Sequence, residues 1–284
     1  MASTFRKRFL YLLPGILTLC LSLGAYVLHS MRMLPWQSPV FDTALPATLP
    51  LTGAHAVLIF SKTNGFRHES IEVGIAAFKK AGLENGWDVH ATENGALINS
   101  DYLHQFQVVV FLSTTGEILT PAQKSAFEKY IENGGGYAGI HSASDTEHGW
   151  AWYGKLLGTF FRDHTFLPLH LPEAEIITEN AAHPANRGLP GRWTKADEWY
   201  NFKENIRKNE GFQVLLSLND GSYPSFWYKM NGDHPISWTH RVGKGRMFYT
   251  AMGHHADTFS DPTAMRHMIG GIAWAGKLAQ PVNR

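Results

Sequence analysis

Uninterrupted runs of apolar residues in the first half of the chain predict buried strands. AVLIF at 56–60, QVVVFLST at 107–114 and GYAGIHS at 136–142 each have the length of a strand. WDVHAT at 87–92 is a further strand candidate. The three apolar runs do not alternate between apolar and polar residues, which is typical of a parallel sheet covered on both faces.

Segments with a helical period separate these strands. Apolar residues at near-helical spacing follow the first strand, at Ile71, Ile75, Phe78 and Leu83. A second helix is predicted to begin after Thr120, a good N-cap followed by Pro121, and to end at the glycines of 134–136. Alternating strands and helices predict an α/β fold with a parallel sheet flanked by helices.

The pattern changes after Gly158, where extended segments rich in histidine and aromatic residues predict a β-rich C-terminal extension. These segments are LPLHLPEAEIIT, VLLSL, PSFWYKM, HPISWTH and GRMFYTAMGHH. A closing helix is predicted at 262–275. The glycines of GKGR at 243–246 fit a hairpin turn, and those at 134–136 lie between a helix and a strand, the reverse of a nucleotide loop, so we reject phosphate binding at both.

The N-terminal segment predicts a membrane anchor. Residues 9–28 are apolar and uncharged, and about 20 such residues suffice for a membrane-spanning helix. Three cations at 6–8 precede them, which predicts a single pass in the inner membrane, an anchor at 1–30 and a body in the periplasm or outside. A cleaved signal peptide is the alternative. Residues 31–53 carry four prolines and predict a linker, which places the domain at 54–280.

Charge and cysteine content exclude several functions. Beyond Arg32 the chain has 21 basic against 24 acidic residues, so the body gives no support for binding nucleic acid. Cys20 is the only cysteine and lies in the apolar segment. The body therefore has no intramolecular disulfide, thiolate metal site or cysteine nucleophile.

Histidines follow several predicted strands. Ligands of open parallel sheets bind beyond the carboxyl ends of the strands, where the loops of His68, His141 and His254 would meet. Imidazole can act as an acid or base near neutrality, and neutral imidazole also binds zinc. No H-x-x-x-H or H-E-x-x-H spacing is present, so a divalent metal such as zinc would need ligands from separate loops.

Five blocks, taken in order, resemble the ThuA-like (trehalose utilisation) family over residues 55–278. They are VLIFSKTNGFRHES, GGGYAGIHSASDT, HP at 183–184, DEWYNF and HPISWTHRVGKGRMFYTAMGH. The resemblance implies the flavodoxin-like fold of the class I glutamine amidotransferases, whose strand-turn-helix elbow bears a catalytic cysteine. Here His141 takes that position, so a glutaminase is excluded. GIHSA is also not the G-x-S-x-G elbow of a serine hydrolase.

With this resemblance we assign catalytic roles to His141, His254 and Glu198. In this assignment Glu198 orients a histidine or shares its proton, although the adjacent acids Asp197 and Glu198 could instead form a solvated loop. Substrate-binding roles are assigned to His68, Arg67, Tyr200, Trp238, His164 and His240. His170 is an open candidate for extending the cluster. Metal ligands are left open.

Three functions compete. The first is a membrane-anchored enzyme that acts on a carbohydrate, an oxidised or keto-sugar glycoside, by histidine and carboxylate acid–base chemistry. The carbohydrate comes from the family resemblance. The second is a non-catalytic module that binds a sugar or a partner, and the third is a zinc-dependent hydrolase. The sequence leaves the reaction, the substrate and the oligomeric state open.

Overall fold

The computed structural model of the protein describes residues 2–30, 37–47 and 55–279, with only the backbone described for 2–13. Its helices are α1 (Ala2–Ser30), α2 (Ser70–Asn85), α3 (Ser100–Leu103), α4 (Pro121–Glu132), α5 (Ala151–Leu157) and α6 (Pro262–Ala275). Its strands are β1 (Ala56–Phe60), β2 (Asp88–Thr92), β3 (Val108–Leu112), β4 (Gly136–Ile140), β5 (Phe161–His164), β6 (Glu173–Thr178), β7 (Arg192–Ala196), β8 (Tyr200–Phe202), β9 (Gln213–Leu218), β10 (His234–Val242) and β11 (Gly245–Thr250).

A nine-stranded sheet in the order β2-β1-β3-β4-β11-β10-β9-β6-β7 organises the domain. The first five strands pair in parallel, and from β11 onward every pairing is antiparallel. The α/β class, the parallel sheet and the β-rich extension predicted from the sequence are therefore confirmed. β5 and β8 form a separate two-stranded sheet.

The register brings the ends of the parallel strands to one edge. Leu112 of β3 pairs with Ile140 of β4, which pairs with Thr250 of β11. The chain leaves β3 and β4 at Ser113 and His141, both of which have a positive φ. The loops after these strands therefore gather at the edge where ligands of parallel sheets bind.

The helices cover the sheet as their sequences predict. In α2, Ile71 and Phe78 are buried, whereas Leu83, which shares their near-helical spacing, is exposed. Before α4, Thr120 forms a capping box with Gln123. Each of the two side chains accepts a hydrogen bond from the backbone of the other residue, which pairs amides that the helix itself leaves free. The closing helix α6 has the bounds that the sequence predicts.

Part of the predicted linker packs against the domain. Asp42 pairs with Lys62 at 2.7 Å and accepts a hydrogen bond from the Gly95 amide at 2.9 Å. Val40 exchanges backbone hydrogen bonds with the Asn64 side chain. Residues 37–47 are thus held against the loops that follow β1 and β2, while the remaining linker residues at 31–36 and 48–53 lie outside the described part.

The N-terminal helix α1 contains the apolar segment that predicts an anchor. Across residues 2–30, 37–47 and 55–279, no helix is long and apolar enough to cross a membrane.

Candidate functional site

The turn after β4 presents His141 at the carboxyl edge of the sheet. A 3-10 turn begins at His141, whose φ is 53°. A positive φ is uncommon outside glycine and concentrates at functional sites. The imidazole is buried, and its Nδ1 lies 2.7 Å from the carbonyl oxygen of Ala251. Because a carbonyl only accepts hydrogen bonds, Nδ1 carries a proton and Nε2 faces the neighbouring loops.

Glu198 lies at the centre of the site, surrounded by histidines from separate loops. Its Oε2 lies 3.4 Å from His141 Nε2 and 3.0 Å from His254 Nδ1. Its Oε1 lies 3.2 Å from His164 Nδ1 and forms a short contact with His170 Nε2. The carboxylate is almost fully buried. One buried acid therefore contacts four imidazoles.

His68, from the loop after β1, completes the cluster. Its Nε2 lies 3.1 Å from His141 Nε2, and its Nδ1 lies 3.3 Å from Ser142 Oγ. Its ring contacts those of His141 and His254 edge to face. Two imidazole nitrogens thus face each other beside a carboxylate.

The environment keeps the carboxylate charged and His68 neutral. Burial raises the pKa of Glu198, but its polar contacts and electrostatic interactions with His141 and His254 outweigh burial and hold this pKa well below its ordinary value. Burial lowers the pKa of His68 well below its ordinary value, and the nearby His141 and His254 lower it further. Burial also lowers the pKa of His254, but Glu198 outweighs burial and raises it.

Four of these side chains have the spacing of metal ligands. One ligand atom from each of His68, His141, Glu198 and His254 lies within 4.8 Å of all the others. In zinc sites the metal–nitrogen distance is about 2.0–2.1 Å, so adjacent ligand atoms at bond angles near 90–110° are about 2.8–3.4 Å apart. The closest separations in the cluster, 3.0, 3.1 and 3.4 Å, fall in this interval. His254 Nδ1 is buried and makes no directed hydrogen bond to a described residue.

The remaining two histidines orient the carboxylate. His164 Nδ1 lies 2.9 Å from the Thr165 carbonyl, so this nitrogen carries a proton and donates. The group His164, His170 and Glu198 also has ligand-like spacing, but His164 presents its protonated Nδ1 to the carboxylate, and this nitrogen cannot bind a metal. His164 and His170 therefore hold Glu198 Oε1 and leave Oε2 to face the other ligands, as outer partners of metal-binding carboxylates do.

Asp197 joins two of the loops that carry the cluster. It is completely buried, and its carboxylate accepts hydrogen bonds from the Gly253 and His254 amides at 2.9 and 3.1 Å. It also accepts from Thr258 Oγ1 at 2.8 Å. Both Asp197 and Glu198 are buried, so the alternative of a solvated loop is wrong. No sequence spacing reveals these partners, because backbone amides supply most of the hydrogen bonds.

The structure places the other predicted site residues in two groups. The Tyr200 ring packs on that of His141 with centroids 4.3 Å apart, and Arg67 pairs with two exposed glutamates beside the site. A cavity of about 680 Å³ opens next to the cluster. It is lined by residues that include Phe66, Arg67, His68, His170, His254 and His255.

Trp238 and His240 lie elsewhere, which corrects their predicted role in substrate binding. Trp238 is buried, and its Nε1 donates to the Leu157 carbonyl at 2.8 Å. His240 lies towards the opposite edge of the sheet, because β10 runs antiparallel to β11. Its ring packs on Phe212, with centroids 3.8 Å apart.

Comparisons with known proteins agree with the blocks noted in the sequence. The chain is similar to a ThuA-like protein of Bacteroides uniformis, with 27% identity and a TM-score of 0.65 over 82% of this chain and 95% of the other. It shares 19% identity and a TM-score of 0.61 with a ThuA-like protein of Parabacteroides merdae, over 82% of this chain and 94% of the other. A β-galactosidase from Bacillus circulans shares the fold alone, with 14% identity and a TM-score of 0.51 over 83% of this chain and 33% of the other.

No curated protein matches the chain. The family model for trehalose utilisation, ThuA, matches residues 56–275, which is most of the chain. The protein therefore belongs to the ThuA family.

Proposed function

We propose that this protein is a metal-dependent enzyme of carbohydrate utilisation. Its metal is a divalent transition ion held by His68, His141, His254 and Glu198. The observation that carries the proposal is the convergence of these four ligand atoms within 4.8 Å at the carboxyl edge of the sheet. Membership of the trehalose utilisation family supports a carbohydrate substrate.

The donor set suits catalysis on sugar oxygens. With all three imidazoles in the neutral form that binds metal, the ligand set carries one negative charge, so a divalent ion would leave the site with one positive charge. With a coordination position left open, such an ion would supply Lewis-acid chemistry, by which it would lower the pKa of a bound water and polarise a carbonyl oxygen. In an oxidised or keto-sugar glycoside, polarising the keto oxygen acidifies the neighbouring C–H. The adjacent cavity of about 680 Å³ is within the size range of small-molecule sites.

Metal content and activity test this function together. The full chain is purified without chelator, its metals are quantified, and it is assayed on trehalose and on keto-glycosides before and after chelation. We expect one equivalent of metal, activity that chelation removes and the same metal restores, and loss of both in His141→Ala. The matched control is His104→Ala, because His104 lies in the loop before β3 at the other edge of the sheet. A fully active chain without metal would refute the proposal.

A metal-free acid–base site is the second candidate. The short contact between His170 and Glu198 supports it, because a carboxylate and an imidazole in direct contact can share a proton. This candidate predicts activity that survives chelation but is lost in Glu198→Gln. A non-catalytic sugar-binding module predicts saturable binding with no turnover in either state.

Anchoring to the inner membrane, with the domain outside the cytoplasm, is a separate proposal. The uncharged apolar stretch at 9–28 and the cations at 6–8 support it. Fractionated cells test it: we expect the full chain in the membrane pellet after alkaline carbonate extraction. Recovery of the full-length chain in the soluble fraction would contradict the anchor without affecting the metal site.

A further inference from the structure

The loop between β5 and β6 exposes a compact apolar tip. Phe166, Leu167 and Leu169 are 57%, 54% and 53% exposed. Three large apolar side chains within four residues are costly to leave in water, and such clusters mark surfaces that contact a ligand or partner. The ligand or partner of this apolar tip can be inferred from its position relative to the histidine cluster.

The base of the same loop belongs to the candidate site. His164 and His170, which bracket the tip, both contact Glu198 Oε1. Thr165 closes the base: its Oγ1 donates to the His170 carbonyl at 2.9 Å, and its amide donates to the Trp199 carbonyl at 3.1 Å. The tip is therefore carried on a fixed base rather than on a free loop.

Phe166, the first residue of the apolar tip, lies beside the histidines themselves. The centroid of the Phe166 ring is 5.9 Å from that of His170 and 6.4 Å from that of His164. His170 in turn lines the cavity of about 680 Å³ next to the cluster. A ligand that reaches the cluster through this cavity and contacts His170 therefore passes close to Phe166.

We infer that Phe166, Leu167 and Leu169 form a subsite for a hydrophobic aglycone, so that the substrate class is a glycoside with an aryl or alkyl group. This inference rests on the proposed function, in which the polar sugar occupies the metal site. Phe166 presents a flat face that suits either a sugar or an aryl ring, whereas the two leucines beside it present no flat face and suit an apolar group that is not a sugar. The polar cluster and the apolar tip then contact opposite ends of one ligand.

The test compares two glucosides that differ only in the aglycone. The full chain, with its metal content measured, is titrated calorimetrically with phenyl and methyl glucosides of each anomeric form. We expect the phenyl glucoside to bind about 10-fold more tightly, as burial of several carbon atoms implies. In Phe166→Ser combined with Leu169→Ser, this preference should disappear while the metal content stays the same. The control Leu83→Ser changes an equally apolar, exposed residue on α2 and should keep the preference.

Several results would overturn the subsite. These are equal affinity for the two glucosides, no binding of either, or a preference that survives the double substitution. Loss of self-association or of vesicle binding in the double variant, with no change in glucoside affinity, would instead assign the tip to a second copy or a lipid surface. An unmodified chain that contains no metal would refute the proposed function itself. The metal measurement therefore distinguishes failure of the proposed function from failure of the subsite.

Discussion

The two ring nitrogens of His141 have different partners, and this difference defines what the residue can do. Nδ1 donates to the Ala251 carbonyl, and Nε2 lies 3.1 and 3.4 Å from His68 and Glu198. A histidine fixed in this way is oriented as a metal ligand, since the outer hydrogen bond sets the tautomer. In the proposed function, the imidazole at this turn therefore acts as a metal ligand and not as a nucleophile.

Metal binding at the proposed site should depend strongly on the negative charge of Glu198. Glu198→Gln keeps the shape of the side chain but removes the only anionic ligand of the proposed site. We therefore expect metal affinity to fall by at least about 100-fold, which is the largest loss that substitutions of outer-shell residues typically cause. The free energy of unfolding of the metal-free protein should fall as well, because the lowered pKa of Glu198 means that its charged carboxylate is stabilised in the folded protein at neutral pH. Competition with a chelator measures the affinity. Glu72→Gln, at an exposed glutamate, is the control, and equal affinities in the two variants would exclude Glu198 as a ligand.

The loops after β7 and β11 are coupled through Asp197. Its carboxylate accepts hydrogen bonds from Gly253, His254 and Thr258, while the next residue in the chain is Glu198. Two of the candidate ligands are thus positioned by one buried side chain. Their separation therefore depends on the packing between these loops as well as on the ligands themselves.

Asp197→Asn should weaken the contacts between the loops after β7 and β11. The amide group of asparagine turns a donor towards backbone donors, so we expect a loss of about 2–4 kcal/mol in the free energy of unfolding. Metal affinity should fall by about 10-fold or more in the fraction that remains folded. Denaturant titration and metal titration measure the two effects. Asp257→Asn, at an exposed acid four residues beyond Gly253, should change neither, and an unaffected Asp197→Asn protein would contradict the positioning role.

Packing of α6 against the sheet makes stability depend on pH through His267. This residue is completely buried, and burial lowers its pKa to about 3. As pH falls below about 6.5, the unfolded chain binds a proton that the folded chain does not, so stability decreases. Between pH 6.5 and 5 we expect this group to remove about 2 kcal/mol of unfolding free energy.

Denaturant titrations of the unmodified chain and of His267→Gln should show this difference as a shallower pH dependence in the variant. Protonation of His267, followed by NMR in the folded unmodified chain, should be absent down to pH 5. A His267 resonance that titrates near pH 6.5 would contradict the expected pH dependence, even if the variant does not fold.

Residues 37–47, which precede the domain in the chain, pack against it. Asp42 bonds to Lys62 and Gly95, and its carbonyl accepts from Gln123. The segment thus contacts the loops after β1 and β2, and the first turn of α4.

Removing the Asp42 side chain should release this segment. In Asp42→Ala we expect residues 37–47 to become cleavable by added protease at least several-fold faster, with a small loss of about 1 kcal/mol in global stability. Limited proteolysis with mass spectrometry measures the sites and rates. Glu72→Ala, which breaks an exposed ion pair, provides the comparison. Identical cleavage in the two variants would show that the Asp42 contacts do not hold the segment.

Local patterns predicted much of this architecture because they depend on neighbouring residues. Apolar runs identified β1, β3 and β4, and Thr120 with Pro121 identified the start of α4. The position of His240 could not be predicted in the same way, because it depends on the direction of β10 within the sheet. The predicted role of Trp238 in substrate binding also failed because of a long-range contact. Its indole nitrogen donates to the carbonyl of Leu157, which is far away in the sequence.

In the site, too, features that depend on local sequence could be predicted, whereas features that depend on long-range contacts could not. Histidines after parallel strands could be predicted to gather, since strand ends share an edge, and His68, His141 and His254 do so. The hydrogen bonds of Asp197 depend on backbone amides more than 50 residues away and leave no spacing in the sequence. The division of the histidines into ligands and outer partners depends on single contacts such as that between His164 and Thr165.

An element-specific anomalous difference map from crystals of metal-replete protein tests the central claim most directly. The account predicts one peak about 2.0–2.2 Å from His68 Nε2, His141 Nε2, His254 Nδ1 and Glu198 Oε2. His164 and His170 should contact only Glu198 Oε1, outside the metal's first coordination sphere. An ordered cluster without a peak, in crystals grown and soaked with zinc, would contradict the claim and leave acid–base chemistry as the better account of the site.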